Sequence, residues 1–145
     1  MRPFSSARKW PSATSSTCTR FRPVSTKAGI RPLAASVYDA ARCKTLILKL
    51  GDKGVLTCRH GDHQALDSFF VVDSFVSRLV DAVGAGDALL AYSTLAMLAS
   101  GNPVVAAILG NMAAACECEV DGNIPVKPGD VLAKIDTAER QMRFD

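Results

Sequence analysis

The chain has 145 residues, enough for one domain of ordinary size and too few for two. Apolar side chains make up 48% of it, so a packed core can form, yet no unbroken apolar run reaches the roughly 18–20 residues of a membrane-spanning helix. The formal charge of +3 hides an asymmetry: residues 1–38 hold seven basic residues and no acid, so the remainder carries an acidic excess that argues against a nucleic-acid-binding face.

Residues 1–38 also hold eleven Ser or Thr and four Pro, with little periodicity. Such a segment buries too little surface to offset its ordering entropy, so a disordered basic tail is expected. Its acid-free, Arg- and Ser-rich composition also fits an organelle transit peptide; an unstructured start without a targeting role is the plainer reading. From residue 44 the character changes. Thr45–Leu50 is a short apolar run that reads as a buried strand, Gly51–Gly54 as a turn and Val55–Arg59 as a second strand, together a hairpin. His60 and His63 fall in a polar turn and read as solvated rather than metal-binding. Phe69–Val72 is a further β-type run. After a glycine-rich loop, Ala88–Ala99 reads as a helix stopped at Ser100-Gly101-Asn102-Pro103, and a second helix runs from Pro103 to Cys116. Both are apolar around most of their circumference, so both are expected to be buried; 12–14 residues are too few to cross a bilayer. Asp121-Gly122-Asn123 is a turn, Pro128–Ile135 a last short helix, and 137–145 a charged, frayed tail. The five cysteines (18, 43, 58, 116 and 118) are odd in number and include no C-x-x-C pair, against a disulfide framework or zinc knuckle and for a reducing setting.

The segment with the most chemistry is Asp81-Ala82-Val83-Gly84-Ala85-Gly86-Asp87. Two glycines let the backbone approach a ligand, and unpaired amides of the next helix's first turn point into the loop, backed by the helix's positive end. That is a phosphate-binding arrangement. Asp87 beside it is out of place in a simple phosphate binder, because like charges repel. It makes sense if the acid aligns and deprotonates a hydroxyl while the loop stabilises a transferring phosphoryl group. The loop is not a dinucleotide fingerprint, since Leu89 stands at the third glycine position, nor a Walker loop, since no G-K-[ST] follows.

Residues 81–87 with their following helix resemble the C-terminal signature of the ribokinase-like (PfkB-type) carbohydrate kinases, D-[TS]-[TV]-G-A-G-D. Lys49–Gly54, about 30 residues upstream, is similar to that family's (T/K)-L-G-x-x-G turn, Gly110–Ala115 to its helix beside the adenine, and Gly122–Pro125 to its closing loop. The resemblance implies an α/β fold, the C-terminal part of a three-layer α/β/α kinase domain over residues 39–136, acting by ATP-dependent phosphorylation of a sugar or sugar-like alcohol. It implies Asp87 as the base, the amides of Gly84, Ala85 and Gly86 as the anion hole, Lys49, Leu50, Gly51 and Gly54 along the nucleotide phosphates and ribose, and Asn111 beside the adenine. ATP and Mg²⁺ are the implied cofactors, and K⁺ would be held by Asp81, Val83 and Gly122. Two departures stand out. Ala82 replaces the usual hydroxyl residue, and the chain is about half the usual family length, without the expected sugar pocket. Implied partners are therefore a small sugar and either a homo-oligomer or a chain supplying the missing N-terminal half, with no nucleic acid or membrane, in the cytoplasm or, if residues 1–38 target it, an organelle. A non-catalytic nucleotide-binding remnant or interaction subunit is the alternative reading.

Overall fold

Near-continuous apolar runs on short strands make a sheet with two buried faces. In the computed structural model, which describes residues 21–22, 29–65 and 67–143, β1 (Phe21–Arg22), β2 (Leu46–Lys49), β3 (Val55–Cys58) and β4 (Phe69–Val72) form an antiparallel sheet in the order β1-β4-β3-β2. Leu56 pairs with Leu48 and Val71, and Cys58 with Leu46 and Phe69. Those side chains share one face, where α1 (Ile30–Ala41) buries Ala34 and Tyr38 against Leu56, Cys58 and Phe69. Val55, Phe70 and Val72 point the other way, onto Leu89 of α2 (Ala85–Ser100) and Ala107 of α3 (Pro103–Cys118). A register slip of one residue would exchange the two faces, so the double burial fixes the pairing.

Helix α1 lies partly inside the segment expected to be unstructured. Averaging composition over 38 residues hid a local pattern: Ala34 and Tyr38, four apart, form one apolar stripe, and Pro32 sits in the first turn, where it costs no helical hydrogen bond. The helix stops at Arg42, whose φ of 49° is left-handed. Residues 1–20 and 23–28, with Trp10 and Cys18, lie outside the described residues.

Helix α3 starts as read, with Pro103 in its first turn and the Asn102 side chain accepting from the Val104 amide at 2.9 Å. Helix α4 (Pro128–Met142) runs seven residues beyond the expected Ile135, because Val131, Ile135 and Ala138 continue one stripe onto Met112 and Ala113 of α3. Glu139 and Arg140, read as part of a frayed tail, are exposed residues of this helix. Helix α2 is not buried all round: Leu90, Leu95 and Leu98 are 66%, 63% and 80% exposed. No helix among the described residues is long and apolar enough to cross a membrane.

Small residues bring α2 and α3 together. A Cβ on Gly110 would overlap Ser93 Oγ and stand 2.8 Å from the Leu89 carbonyl oxygen. The hydroxyl can rotate aside; the carbonyl belongs to a helix backbone and cannot. Gly110→Ala is therefore expected to cost about 1–3 kcal/mol in urea unfolding. Adding Ser93→Ala should recover only part of it; full recovery would show that the helices are free to separate.

Candidate functional site

The site begins where the hairpin turns. Leu50 donates its amide to the Gly54 carbonyl at 2.8 Å across a 3₁₀ turn at Gly51–Lys53, with Gly51 at φ 65° and Gly54 at φ 85°. Lys49 pairs with Val55, so its side chain leaves the sheet on the α2 and α3 face. Its Nζ reaches the start of α2, 3.2 Å from where a Cβ on Gly86 would stand. The two motifs read separately from the sequence thus meet at one helix N-terminus.

Lys49, Leu50, Gly51, Gly54, Ala85 and Asn111 line one cleft of about 1220 Å³. Asn111 is 5% exposed, and its Nδ2 donates to the carbonyls of Val72 (3.3 Å) and Asp73 (2.8 Å). It borders the cleft, but its amide clamps α3 to the end of β4.

The glycine loop is held from both sides. The amides of Val80 and Asp81 donate to the Cys118 carbonyl at 2.8 and 3.2 Å, and Asp81 Oδ1 accepts from the Val83 amide at 3.0 Å. Gly84 precedes α2 at φ 85°, and its carbonyl accepts from Asp87 and Ala88. A Cβ on Gly84 would stand 2.5 Å from Asn123 Oδ1 and 2.6 Å from Glu117 Oε1. Gly122, at φ 80°, accepts from the Ile124 amide at 3.1 Å, and its neighbour Asn123 is the residue that reaches the Gly84 loop.

Asp87 is exposed and does not line the cleft. It lies in a separate shallow depression of about 430 Å³ with Leu90, Ala91, Thr94 and Leu95 on the outer side of α2. Ala85, which lines the cleft, and Asp87 thus look out to different sides of one helix start.

Charges of both signs surround the loop. Burial pushes the Cys118 thiol up; Lys49 opposes the shift, while Glu117, Glu119 and Asp81 add to it. Burial also works against the Glu119 carboxylate, but the Lys134 ammonium and the Ser77 amide outweigh it and hold its pKa below the ordinary value. Glu117 was not singled out from the sequence, and Asn123 only as part of the closing loop. The available signal was a lone acid inside the apolar run from Ala113 to Cys118.

Two arrangements outside the cleft imitate catalytic triads. His63 contacts Asp39 at 3.1 Å and Cys58 at 3.9 Å; His60 contacts Asp67 and Ser68, each at 3.3 Å. Cys58 and Ser68 are only 1% and 0% exposed, burial raises the Cys58 pKa, and Ser68 Oγ donates to the Asp62 carbonyl. Neither is an accessible nucleophile. His63 instead packs between the Tyr38 and Phe69 rings, at 5.6 and 5.7 Å, less solvated than a turn histidine was expected to be. No group of three or more His, Cys, Asp or Glu placed to hold a metal occurs among the described residues.

None of the curated proteins matches the chain. Among solved structures, the Burkholderia thailandensis nucleoside kinase in ligand-free form is similar in fold, with a TM-score of 0.56 and 18% identity over 71% of this chain and 36% of that one. The chain thus spans about a third of that kinase's length. In sequence, the description "pfkB family carbohydrate kinase" matches residues 22–128, which take in the hairpin, the glycine loop and the helices that frame the cleft. On that span the chain belongs to the pfkB family of carbohydrate kinases.

Proposed function

We propose that the chain carries the nucleotide-binding and phosphoryl-transfer part of a kinase that moves the γ-phosphoryl group of ATP to a hydroxyl of a sugar or sugar-like alcohol. The observation that carries this reading is the approach of Lys49 Nζ to Gly86 at the mouth of the cleft. A cation, a positive helix end and glycine backbone then face one volume, as a polyphosphate requires. The placement of α1 on one side of the sheet and α2 with α3 on the other supports the C-terminal part of a three-layer ribokinase-like domain.

The cleft is large enough for a nucleotide. The bare Gly86 backbone, with Lys49 over it, leaves room that a side chain would fill, so the residues present suit a phosphate chain. Mg²⁺, when bound, would neutralise charge on the β- and γ-phosphates and be held by ATP oxygens and water. Lys49 would bind the phosphates, Leu50, Gly51 and Gly54 would shape their approach, and Asn111 would fix the wall nearer the base. The amides at Gly84, Ala85 and Gly86 would receive the charge that develops on the phosphoryl group. Asp87, on the far side of the helix start, would hold the acceptor hydroxyl and take its proton. In-line displacement sets the acceptor oxygen opposite the leaving oxygen at the phosphorus itself, so the Asp87 carboxylate would have to turn in toward the Gly86 amide to serve it. A monovalent cation would belong to Asp81, Val83 and Gly122.

One observation favours the second reading, a non-catalytic nucleotide-binding or interaction subunit. Asp87 stands exposed, and the shallow depression it shares with Leu90, Ala91, Thr94 and Leu95 offers few polar groups to a sugar. Nucleotide binding is common to both readings and is tested first. Titration with ATP and Mg²⁺ by calorimetry is expected to show binding, weakened about 10- to 100-fold by Lys49→Met, since a hydrogen bond to a charged group is worth about 1.5–3 kcal/mol. Absence of binding by the parent chain defeats both readings. Binding without transfer to any sugar in a panel, with the acceptor-side portion of the fold supplied, leaves the second.

A further inference from the structure

The sheet and both helix layers share one open flank. β2 ends the sheet, and among the described residues only β3 pairs with it. Every residue of β3 is buried and none of β2 is. The Leu50 amide bonds back to Gly54 across the hairpin, and Leu46 and Leu48 follow in the same alternation. Ile47 and Lys49 therefore turn their main-chain groups outward, away from β3. On one face of the sheet, α1 packs over β2 and β3. Its Arg31 sits 4.8 Å over the Phe69 ring and its Asp39 contacts His63, both toward β4. Ile30, Leu33 and Val37, at i, i+3 and i+7, lie on the other side of the helix, over the open edge, and Leu33 is 61% exposed. On the opposite face, the reach of Lys49 to Gly86 puts the start of α2 beside β2. There Leu90, Leu95 and Leu98 point away from the buried side that Leu89, Ser93 and Ala96 form.

We propose that a second copy of this chain covers this flank, with β2 antiparallel to its counterpart about a twofold axis normal to the sheet. A free strand edge between two apolar helix faces is a surface that proteins cover. Three features point to a second copy. An antiparallel edge is self-complementary about such an axis, with Ile47 facing its counterpart and the outward amides and carbonyls of both strands paired. The same axis keeps each helix layer on its own side of the sheet, so the α1 stripe meets the α1 stripe and the α2 stripe meets the α2 stripe. Charge does not oppose the contact. No charged residue lies between Ala88 and Ser100, the charged residues of α1 face β4, and antiparallel α2 helices hold the two Asp87 carboxylates at opposite ends. The lack of basic residues along the α2 stripe also disfavours a lipid surface as the occupant. The inference rests on packing and not on the kinase reading. Because Asp87 adjoins the α2 stripe, such a dimer and an acceptor-side portion of the fold exclude one another.

The test is sedimentation velocity of the whole chain, without nucleotide, over roughly 1–200 μM. A species of twice 15.4 kDa is expected to form with a dissociation constant in the micromolar range. Leu33→Lys on α1 and Leu98→Lys on α2 replace exposed side chains, so each is expected to keep the unfolding midpoint of dilute protein. Each is also expected to weaken association about 10- to 100-fold. Deuterium exchange at the Ile47 amide is expected to slow as the parent chain dimerises, and not in Leu98→Lys at the same concentration. A monomer across the whole range overturns the proposal. A dimer that either lysine leaves unweakened overturns it too, since it forms through another surface. So does growth past two copies without limit, which is not a closed twofold. Binding of the monomeric parent to phosphatidylcholine–phosphatidylserine vesicles, lost in Leu98→Lys, would overturn it in favour of a lipid surface. ATP titration is read separately, so a monomeric chain leaves the kinase reading standing.

Discussion

Asp87→Asn is expected to lower phosphoryl transfer to a sugar alcohol by about 10²–10⁴-fold while leaving the affinity for ATP unchanged. The substitution keeps size, shape and one acceptor oxygen but cannot take a proton at neutral pH. The position of the side chain separates the two readouts. Asp87 lies outside the cleft that Lys49 and Gly51 line, on the outer side of α2. A residue there does not touch the nucleotide, so its loss appears in turnover alone. Lys49→Met is the complementary case, with the effect appearing in ATP affinity first. Both variants are assayed with the acceptor-side portion of the fold supplied, because the chain spans only about a third of the solved nucleoside kinase that it resembles. Equal turnover by parent and Asp87→Asn removes Asp87 as the base. A fall in ATP affinity matching that of Lys49→Met would move Asp87 to the nucleotide side and undo the in-line arrangement.

What could be read from the sequence follows the range of the interactions involved. The hairpin and the start of α3 were legible because their determinants are local: the short apolar runs at Thr45–Leu50 and Val55–Arg59, the glycines between them, and Asn102-Pro103. Helix α1 was missed because a polar, Ser-rich average masked a stripe of two residues, Ala34 and Tyr38, that becomes visible only when a sheet face is there to receive it. The extent of α4 was underestimated for the same reason. Its charged residues are ordinary for the outer face of a helix whose inner face reaches Ala138. In the site, the loop residues 81–87 were found by type and spacing. Lys49 was placed near them only through the family resemblance and Glu117 not at all, because Lys49 meets Gly86, and Glu117 meets Gly84, only through tertiary packing. Nor could the sequence say that Ala85 and Asp87 look to different sides of α2, since that depends on which part of the helix start rests on the sheet.

Gly54→Ala is expected to destabilise the fold by about 2–5 kcal/mol, a large share of the roughly 5–15 kcal/mol that holds a domain together. Two effects add at this position. Its φ of 85° with ψ of −128° is a conformation that side-chain-bearing residues rarely adopt. A Cβ there would also overlap the Val72 carbonyl oxygen and come within 2.7 Å of the Asp73 carbonyl carbon and the Ser74 nitrogen, all backbone at the end of β4. No rotamer relieves a clash with main chain, so either the turn lifts or the strand end moves. Lifting the turn breaks the Leu50 to Gly54 hydrogen bond and carries Lys49 away from Gly86, so nucleotide binding should fall along with the unfolding midpoint. Gly51→Ala is the control. Its φ of 65° is equally left-handed, but a Cβ there meets nothing within 4 Å, so only the backbone term of about 1–2 kcal/mol remains. Chemical unfolding of the two variants thus measures the close approach of the turn to β4 by difference. Equal losses at both glycines would mean that the turn stands clear of the strand and that the cleft's floor is built in another way.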